Sequence, residues 1–276
     1  MPPPPMHPGI DAYVEGGGVK SDFGFNSASI RAAFVRKVFI LVGIMYLAIR
    51  IENAVITFGT AVERKRIDEQ LFYPLTVVTL MTTIPFLHHG TMTFVRTTPS
   101  LYFASYVIFL VVYVTLMCCE GVRRSFPGNL VALSILTLSI GYMTMMFCSY
   151  HKTVSVLLCL TITVVCCAGI IIFSSQTKYD LTSMYGMVFI VSTVVLAFGI
   201  IAIIAAVVFH VTWLYTVYAG LAALLFMIYL AMDVQAIMGG RKHEISPEDY
   251  IFAAVQVFLD IVYIFWMLLT LFGSDK

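Results

Sequence analysis

Tyr250-Ile-Phe-Ala-Ala-Val-Gln-Val-Phe-Leu-Asp-Ile-Val-Tyr-Ile-Phe-Trp266 opens an apolar run that continues to Phe272, and it holds one carboxylate, Asp260. The run is long enough to cross a hydrocarbon core, which takes about 20 apolar residues. The apolar segment before it has the same form: Leu224-Leu-Phe-Met-Ile-Tyr-Leu-Ala-Met-Asp-Val-Gln235 carries Asp233. A carboxylate inside a membrane helix costs roughly 2.5–3.5 kcal/mol, so it faces a partner or a water-filled path rather than lipid. The other acids between Gly121 and Asp275 are Asp180, Glu244, Glu248 and Asp249, and all lie outside the apolar runs. Two intramembrane acids with no base in their own segments point to a shared proton or a bound cation.

The chain around them is 60% hydrophobic and 11% charged, against about 25% charged in an average soluble protein. Long apolar runs occur at Leu101–Cys119, Asn129–Tyr150, Thr153–Phe173, Met184–Phe209, Trp213–Ile237 and Tyr250–Phe272, and Val38–Phe86 carries further apolar sequence in broken form. The expected fold is all-α, a polytopic membrane helix bundle of seven spans, the seventh helix carrying the intramembrane acid Asp260. Residues 1–33, with Pro2–Pro5 and Gly16–Gly18, read as a flexible tail and lack the apolar core of a cleavable signal peptide. Residues 34–273 form the expected bundle and 274–276 a short C-terminal tail.

The net charge is +1 and the basic residues lie between helices rather than in one patch, so no nucleic-acid partner is expected. Cys118, Cys119, Cys148, Cys159, Cys166 and Cys167 all fall in or beside apolar runs without CxxC spacing. Buried cysteines act as small hydrophobes, and neither disulfides nor zinc are expected. His88, His89 and His151 have no accompanying ligands and read as loop residues of the outer face.

Orientation follows from lysines and arginines, which concentrate on the cytosolic side. With a cytosolic N-terminus and seven spans, Lys20, Arg31, Arg36, Lys37, Arg123, Arg124, Lys178, Arg241 and Lys242 share the inner side. Leaving aside Arg50 and Arg64–Arg66, only Arg96, Lys152 and Lys276 lie opposite, which puts the C-terminus outside or in a lumen. Tyr46–Pro74 strains this scheme, because Arg50, Glu52 and Glu63-Arg-Lys-Arg-Ile-Asp-Glu69 interrupt its apolar stretch. An eight-span chain with an outside N-terminus keeps Arg123 to Lys242 inside but leaves Lys20 to Lys37 on the wrong side.

Depth brings the two acids together. Asp233 lies about 9 Å from the cytosolic end of its span and Asp260 about 15 Å from the start of the next, at about 1.5 Å per residue. The two helices are antiparallel neighbours joined by a short loop, so the carboxyls can face one another and titrate as a unit. The plainer alternative is an interhelical hydrogen bond that only fixes packing, worth about 0.6 kcal/mol on average in a membrane. Ser246-Pro-Glu-Asp249 reads as a helix start, with Ser246 as cap, Pro247 in the first turn and Asp249 as capping-box acid. Arg123 and Arg124 read as positive anchors at a helix end.

Cys118-Cys-Glu-Gly-Val-Arg-Arg-Ser-Phe-Pro-Gly-Asn-Leu130, Phe173-Ser-Ser-Gln-Thr-Lys-Tyr-Asp-Leu-Thr-Ser183, Tyr229-Leu-Ala-Met-Asp-Val-Gln235 and Lys242-His-Glu-Ile-Ser-Pro-Glu-Asp-Tyr-Ile-Phe252 follow in order and lead into Leu259-Asp-Ile-Val-Tyr-Ile-Phe265. Together with Phe34-Val-Arg-Lys-Val38, these motifs resemble the transmembrane Bax-inhibitor-motif family, its lifeguard branch most closely. In the family pattern Phe34–Met45 joins directly to Leu75–Val95. Tyr46–Pro74 is then an atypical insertion in the first span, either a loop with its own helical hairpin or a retained intron.

The resemblance implies a pH-sensing aspartate pair at Asp233 and Asp260, and an arginine latch onto that pair from Arg123 or Arg124. It also implies a pH-sensitive calcium leak of intracellular membranes with a cytoprotective, anti-apoptotic role. Calcium prefers carboxylate and carbonyl oxygens, and protons compete for them, so Asp233 and Asp260 are the calcium-binding candidates. Calcium is here the transported ion, and no resident cofactor is expected. Partners would be calcium, membrane lipid and apoptosis-regulating membrane proteins; the location would be endoplasmic reticulum or Golgi, or else the plasma membrane. The alternative is a membrane scaffold that regulates death receptors or channels without conducting ions. An enzyme is not expected: Tyr179-Asp180 lacks a following GxGD, and neither HExxH nor GxSxG occurs.

Overall fold

The computed structural model describes Tyr73, Pro74, Val77, Val78, Met81 and residues 89–238, 241–246 and 249–273. The expected tail, Phe34–Met45, most of the insertion and residues 274–276 lie outside the described residues. Eight α-helices occur among them and no strand: α1 His89–Thr97, α2 Pro99–Cys118, α3 Glu120–Arg124, α4 Gly128–Ser149, α5 Thr153–Gln176, α6 Tyr185–Val208, α7 Thr212–Met238 and α8 Tyr250–Phe272. A 3-10 turn, Leu181–Met184, leads into α6.

The all-α bundle is therefore present, with α2, α4, α5, Leu181–Val208, α7 and α8 each long and apolar enough to span a membrane. These six match the six long runs read from the sequence, with ends displaced by a few residues. Ahead of α1 in the chain, a few further helical residues are described. They include Val78, which packs in the main core, and Met81, whose sulfur fills the space that a side chain on Gly141 would occupy. Both lie after Pro74, on the C-terminal side of the expected insertion.

In a membrane, backbone polar groups must pair within their own helix, which is why the apolar runs are helical throughout. α8 is the axis of the bundle. It packs on α7, α5 and α4 and reaches the short α3, and Phe258, Ile251, Ile264 and Leu269 on it are fully buried. Lipid tails are as apolar as leucine, so packing shape and polar contacts hold such helices together. The Trp266 indole N–H donates to Thr144 Oγ1 at 3.0 Å, joining α8 to α4, and the Tyr229 hydroxyl donates to Ser192 Oγ at 3.0 Å, joining α7 to α6.

The two ends of the bundle differ. At one end, Arg96 donates to the Ser149 carbonyl and lies over the Tyr150 ring, fastening α1 to the C-terminus of α4. His151 belongs to this end and lies in the α4–α5 connection, a loop residue as expected. It is buried, its Nδ1 is 3.1 Å from the Phe147 carbonyl, and its ring packs against Gly273. The other end gathers Arg123, Arg124, Lys178, Arg241 and Lys242 and is called the basic end below.

Candidate functional site

α7 delivers Asp233 and α8 delivers Asp260 to one place inside the bundle. Both side chains are buried, Asp233 with 4% and Asp260 with 8% of its surface exposed, and they hydrogen-bond to one another. Two carboxyls bond in this way only when a proton lies between them, because two adjacent negative charges repel. The Tyr185 hydroxyl also hydrogen-bonds to Asp233. Tyr185 is brought there by the 3-10 turn that opens α6, and its ring meets His243 of the α7–α8 loop edge-on at 5.5 Å. Among the described residues no lysine or arginine pairs with either acid.

The two arginines go elsewhere. Arg123 Nε donates to Asp249 Oδ1 at 2.8 Å, while Arg124 donates through Nε to Oδ1 at 2.9 Å and through Nη2 to Oδ2 at 2.8 Å. Arg123 Nη1 also donates to the Met117 carbonyl at 3.1 Å, and its guanidinium lies over the Phe252 ring at 5.1 Å. Asn129 completes the joint, donating to the Arg123 carbonyl and to the Tyr250 hydroxyl. The expected arginine contact with the acid pair is thus replaced here by a clasp on the first turn of α8. α3 is a short helix closing the α2–α4 corner, so its arginines face Asp249 at the basic end, about 16 Å along α8 from Asp260 at 1.5 Å per residue.

The helix-start reading changes for the same reason. α8 begins at Tyr250 with Asp249 as its N-cap residue, and the Asp249 side chain makes no capping bond. Its carboxylate is taken by guanidinium groups instead. Arg124, then Arg123, hold it well below the usual carboxylate range.

A second set of bonds closes the basic end. Gln235, fully buried and two residues beyond Asp233, donates to the Tyr179 carbonyl at 2.9 Å and the Ser174 carbonyl at 3.3 Å. Its own oxygen accepts the Leu181 N–H at 2.8 Å. Arg241 donates to the Thr177 and Lys178 carbonyls, and the Lys242 N–H donates to Asp180 Oδ2 at 3.0 Å. The Thr182 hydroxyl, then the Lys242 N–H, hold the Asp180 carboxyl below its ordinary value. The α5–α6 and α7–α8 loops are therefore stitched together just beyond the acid pair. Gln235 and Tyr185 were not singled out from the sequence. The one signal available was that a glutamine in an apolar helix, like an acid, needs a buried partner.

Among the described residues no group of three or more His, Cys, Asp or Glu side chains could hold a metal ion. A cation at the acid pair would complete its shell from water, amide and hydroxyl oxygens.

With this geometry in place, comparison with known proteins decides the family. Residues 31–276 match the family model described as "Inhibitor of apoptosis-promoting Bax1". The chain belongs to the Bax inhibitor-1 family. Within this family it is 36% identical to Protein lifeguard 3 of Homo sapiens over 284 residues, covering 99% of this chain and 82% of that protein. Protein lifeguard 3 of Mus musculus is 34% identical over 282 residues at the same coverage. Protein lifeguard 4 of Mus musculus is 24% identical over 259 residues, 91% of each chain. No solved structure matches the chain. The Bax inhibitor-1 match covers every helix that forms the acid pair and the arginine clasp.

Proposed function

We propose that this chain is a pH-sensitive calcium leak of an intracellular membrane, endoplasmic reticulum or Golgi, with a cytoprotective, anti-apoptotic role. The observation that carries the reading is the buried, mutually hydrogen-bonded pair Asp233–Asp260 at the axis of an apolar bundle. The proposed orientation places the basic end in the cytosol and the C-terminus in the lumen, with the incompletely described first span bringing the total to seven. The proposed role is transport rather than catalysis.

The pair supplies what a proton-regulated cation path needs. Its oxygens suit a hard divalent cation, and a proton between them competes for the same oxygens. The Arg123/Arg124–Asp249 clasp serves as the latch, holding α8 to the α2–α4 corner in a closed arrangement. Releasing the clasp or changing the protonation of the pair biases a two-state equilibrium between closed and open bundles. The stitched loops at the basic end cover the pair from the cytosolic side. Apoptosis-regulating membrane proteins are the proposed partners.

Calcium flux from vesicles containing the purified full chain, measured at several pH values, tests this. Asp233→Asn and Asp260→Asn should each weaken or remove the pH dependence, because an amide keeps the shape and cannot titrate. The double variant should show much less than the sum of the two, since the pair acts as one unit. An unchanged pH profile in both variants leaves the pair as packing. Cytoprotection that survives Asp233→Asn in vesicle-silent protein would favour the scaffold reading instead.

A further inference from the structure

Of the six cysteines, Cys118 and Cys119 are exposed, while Cys148, Cys159 and Cys167 are buried and Cys166 is partly covered. Cys118 is the last residue of α2, and Cys119 is the hinge between α2 and α3. α2 is 20 residues long, or about 30 Å at 1.5 Å per residue, which matches the thickness of a hydrocarbon core. A span of that length puts Cys118 and Cys119 at the boundary between hydrocarbon and water, at the basic end. The charged residues Glu120, Arg123 and Arg124 follow at once. Cys166 lies midway along α5 instead, deep in the apolar layer.

The direction of the Cys118 thiol follows from the helix. Phe103, Val107, Val111, Val114 and Cys118 are spaced by three or four residues, so they share one face, and all five are exposed. Phe109 and Leu116, on the opposite side, are buried in the main core. The exposed row is the face that α2 turns to lipid, and Cys118 ends it at the water boundary. Two accessible thiols at this depth meet the demands of fatty acylation: the donor reaches them from the aqueous side, and the attached chain enters the bilayer along the row.

We infer that Cys118 and Cys119 are a site of reversible S-acylation by a long-chain fatty acid. The thiolate sulfur attacks the thioester carbonyl carbon of a long-chain acyl-coenzyme A. A new cysteine S–C bond forms, the bond to the coenzyme A sulfur breaks, and the cysteine proton ends on the coenzyme A thiol. One thioester replaces another, so nothing is oxidised or reduced. The consequence lies at the clasp. The Cys119 carbonyl accepts the Val122 N–H at 3.1 Å and the Arg123 N–H at 3.2 Å, which makes the acylated hinge the footing of α3. α3 carries the two arginines that hold Asp249, and acylation fastens that corner to the membrane surface.

The site rests on the proposed orientation, with the basic end in the cytosol, and not on ion conduction. The full chain is expressed in cultured eukaryotic cells and its free thiols are blocked. Thioesters are then cleaved with neutral hydroxylamine, and the released thiols are coupled to a maleimide polymer that retards the protein on a gel. The native chain should show a hydroxylamine-dependent shift. Cys118→Ser should lose most of it and Cys118→Ser/Cys119→Ser all of it, whereas Cys166→Ser should keep it. Cys118→Ala/Cys119→Ala should match the serine pair, with the native unfolding temperature, which separates a lost thioester from a lost fold. No shift in the native chain, or a shift that survives in both double variants, overturns the site. A membrane-impermeant maleimide, added after hydroxylamine to cells whose plasma membrane alone is opened, should label Cys118 and Cys119. Labelling only after internal membranes are opened overturns the orientation and the site with it. A hydroxylamine-dependent shift in protein that passes no calcium in vesicles keeps the site and removes the leak. Calcium leak from a native chain that shows no shift keeps the leak and removes the site.

Discussion

α6 and α8 are both long apolar helices, yet they occupy opposite places in the bundle. Of the Leu181–Val208 span that contains α6, 17% of the most apolar stretch is buried within the protein, whereas for α8 the figure is 72%. α6 is nonetheless the more hydropathic of the two. In water the order would be reversed. In a bilayer the surroundings are as apolar as a protein core, so apolar side chains carry no instruction about which way to face. What draws α8 inward is its polar content: Asp260, Gln256 and the Trp266 indole, each costly against lipid tails. α6 offers Ser192 and Thr193 instead, and both bond back to carbonyls of their own helix.

The comparison breaks most visibly with one residue type on both helices. Phe258 on α8 is fully buried and Phe189 on α6 is 70% exposed. Phe258→Ala should cost about 3–5 kcal/mol of stability, while Phe189→Ala should stay within about 0.5 kcal/mol. Unfolding of the two variants in lipid nanodiscs measures both, and equal losses would remove α8 from the axis.

The clasp comes next. Asp249→Asn should cost about 1–3 kcal/mol by stranding charged donors, less than a fully buried ion pair because Arg124 keeps 38% of its side-chain surface in solvent. It should also raise the resting leak. The Asp249 carboxyl is held below its ordinary value, so its contribution is complete above the unfolded value of about 3.9. It is lost only as pH falls further, through the lower folded value. Between pH 5 and 8 the clasp therefore stays charged. Asp249→Asn should therefore raise the leak across this range and move its pH midpoint, because both act on one closed–open equilibrium, while the pH response itself persists through Asp233 and Asp260; a leak that no longer responds to pH in Asp249→Asn would make the clasp part of the sensor.

A smaller effect separates two close helix contacts. A methyl group on Gly199 of α6 would meet the Tyr218 ring at 2.5 Å, whereas one on Gly141 of α4 would meet the Met81 thioether at 2.5 Å. A rigid ring on α7 cannot yield as a flexible thioether does. Gly199→Ala should therefore lower stability by about 1–3 kcal/mol, and Gly141→Ala should lie at or below the bottom of that range. Thermal unfolding of the two variants side by side gives the ordering.

Six apolar helices, their approximate limits and the two acids within them were legible in the sequence alone. Twenty-residue apolar runs have one stable backbone in lipid, and an acid in such a run has to find a partner. The motifs from Cys118 to Phe265 placed the chain in its family for the same linear reason, residue types in a fixed order. Tertiary structure decided the rest. Arg123 and Arg124 are adjacent in sequence to nothing that names their partner, and only the closed α2–α4 corner aims them at Asp249. Gln235 and Tyr185 look like ordinary members of their helices until the loops of the basic end fold against them. His151 reads as a loop residue and is one, but only the fold shows that it is buried beside Gly273. A sequence records what each side chain must avoid, and in a uniformly apolar solvent that fixes helices and marks polar positions. Which polar positions meet depends on how the helices cross, and that information is carried by shape.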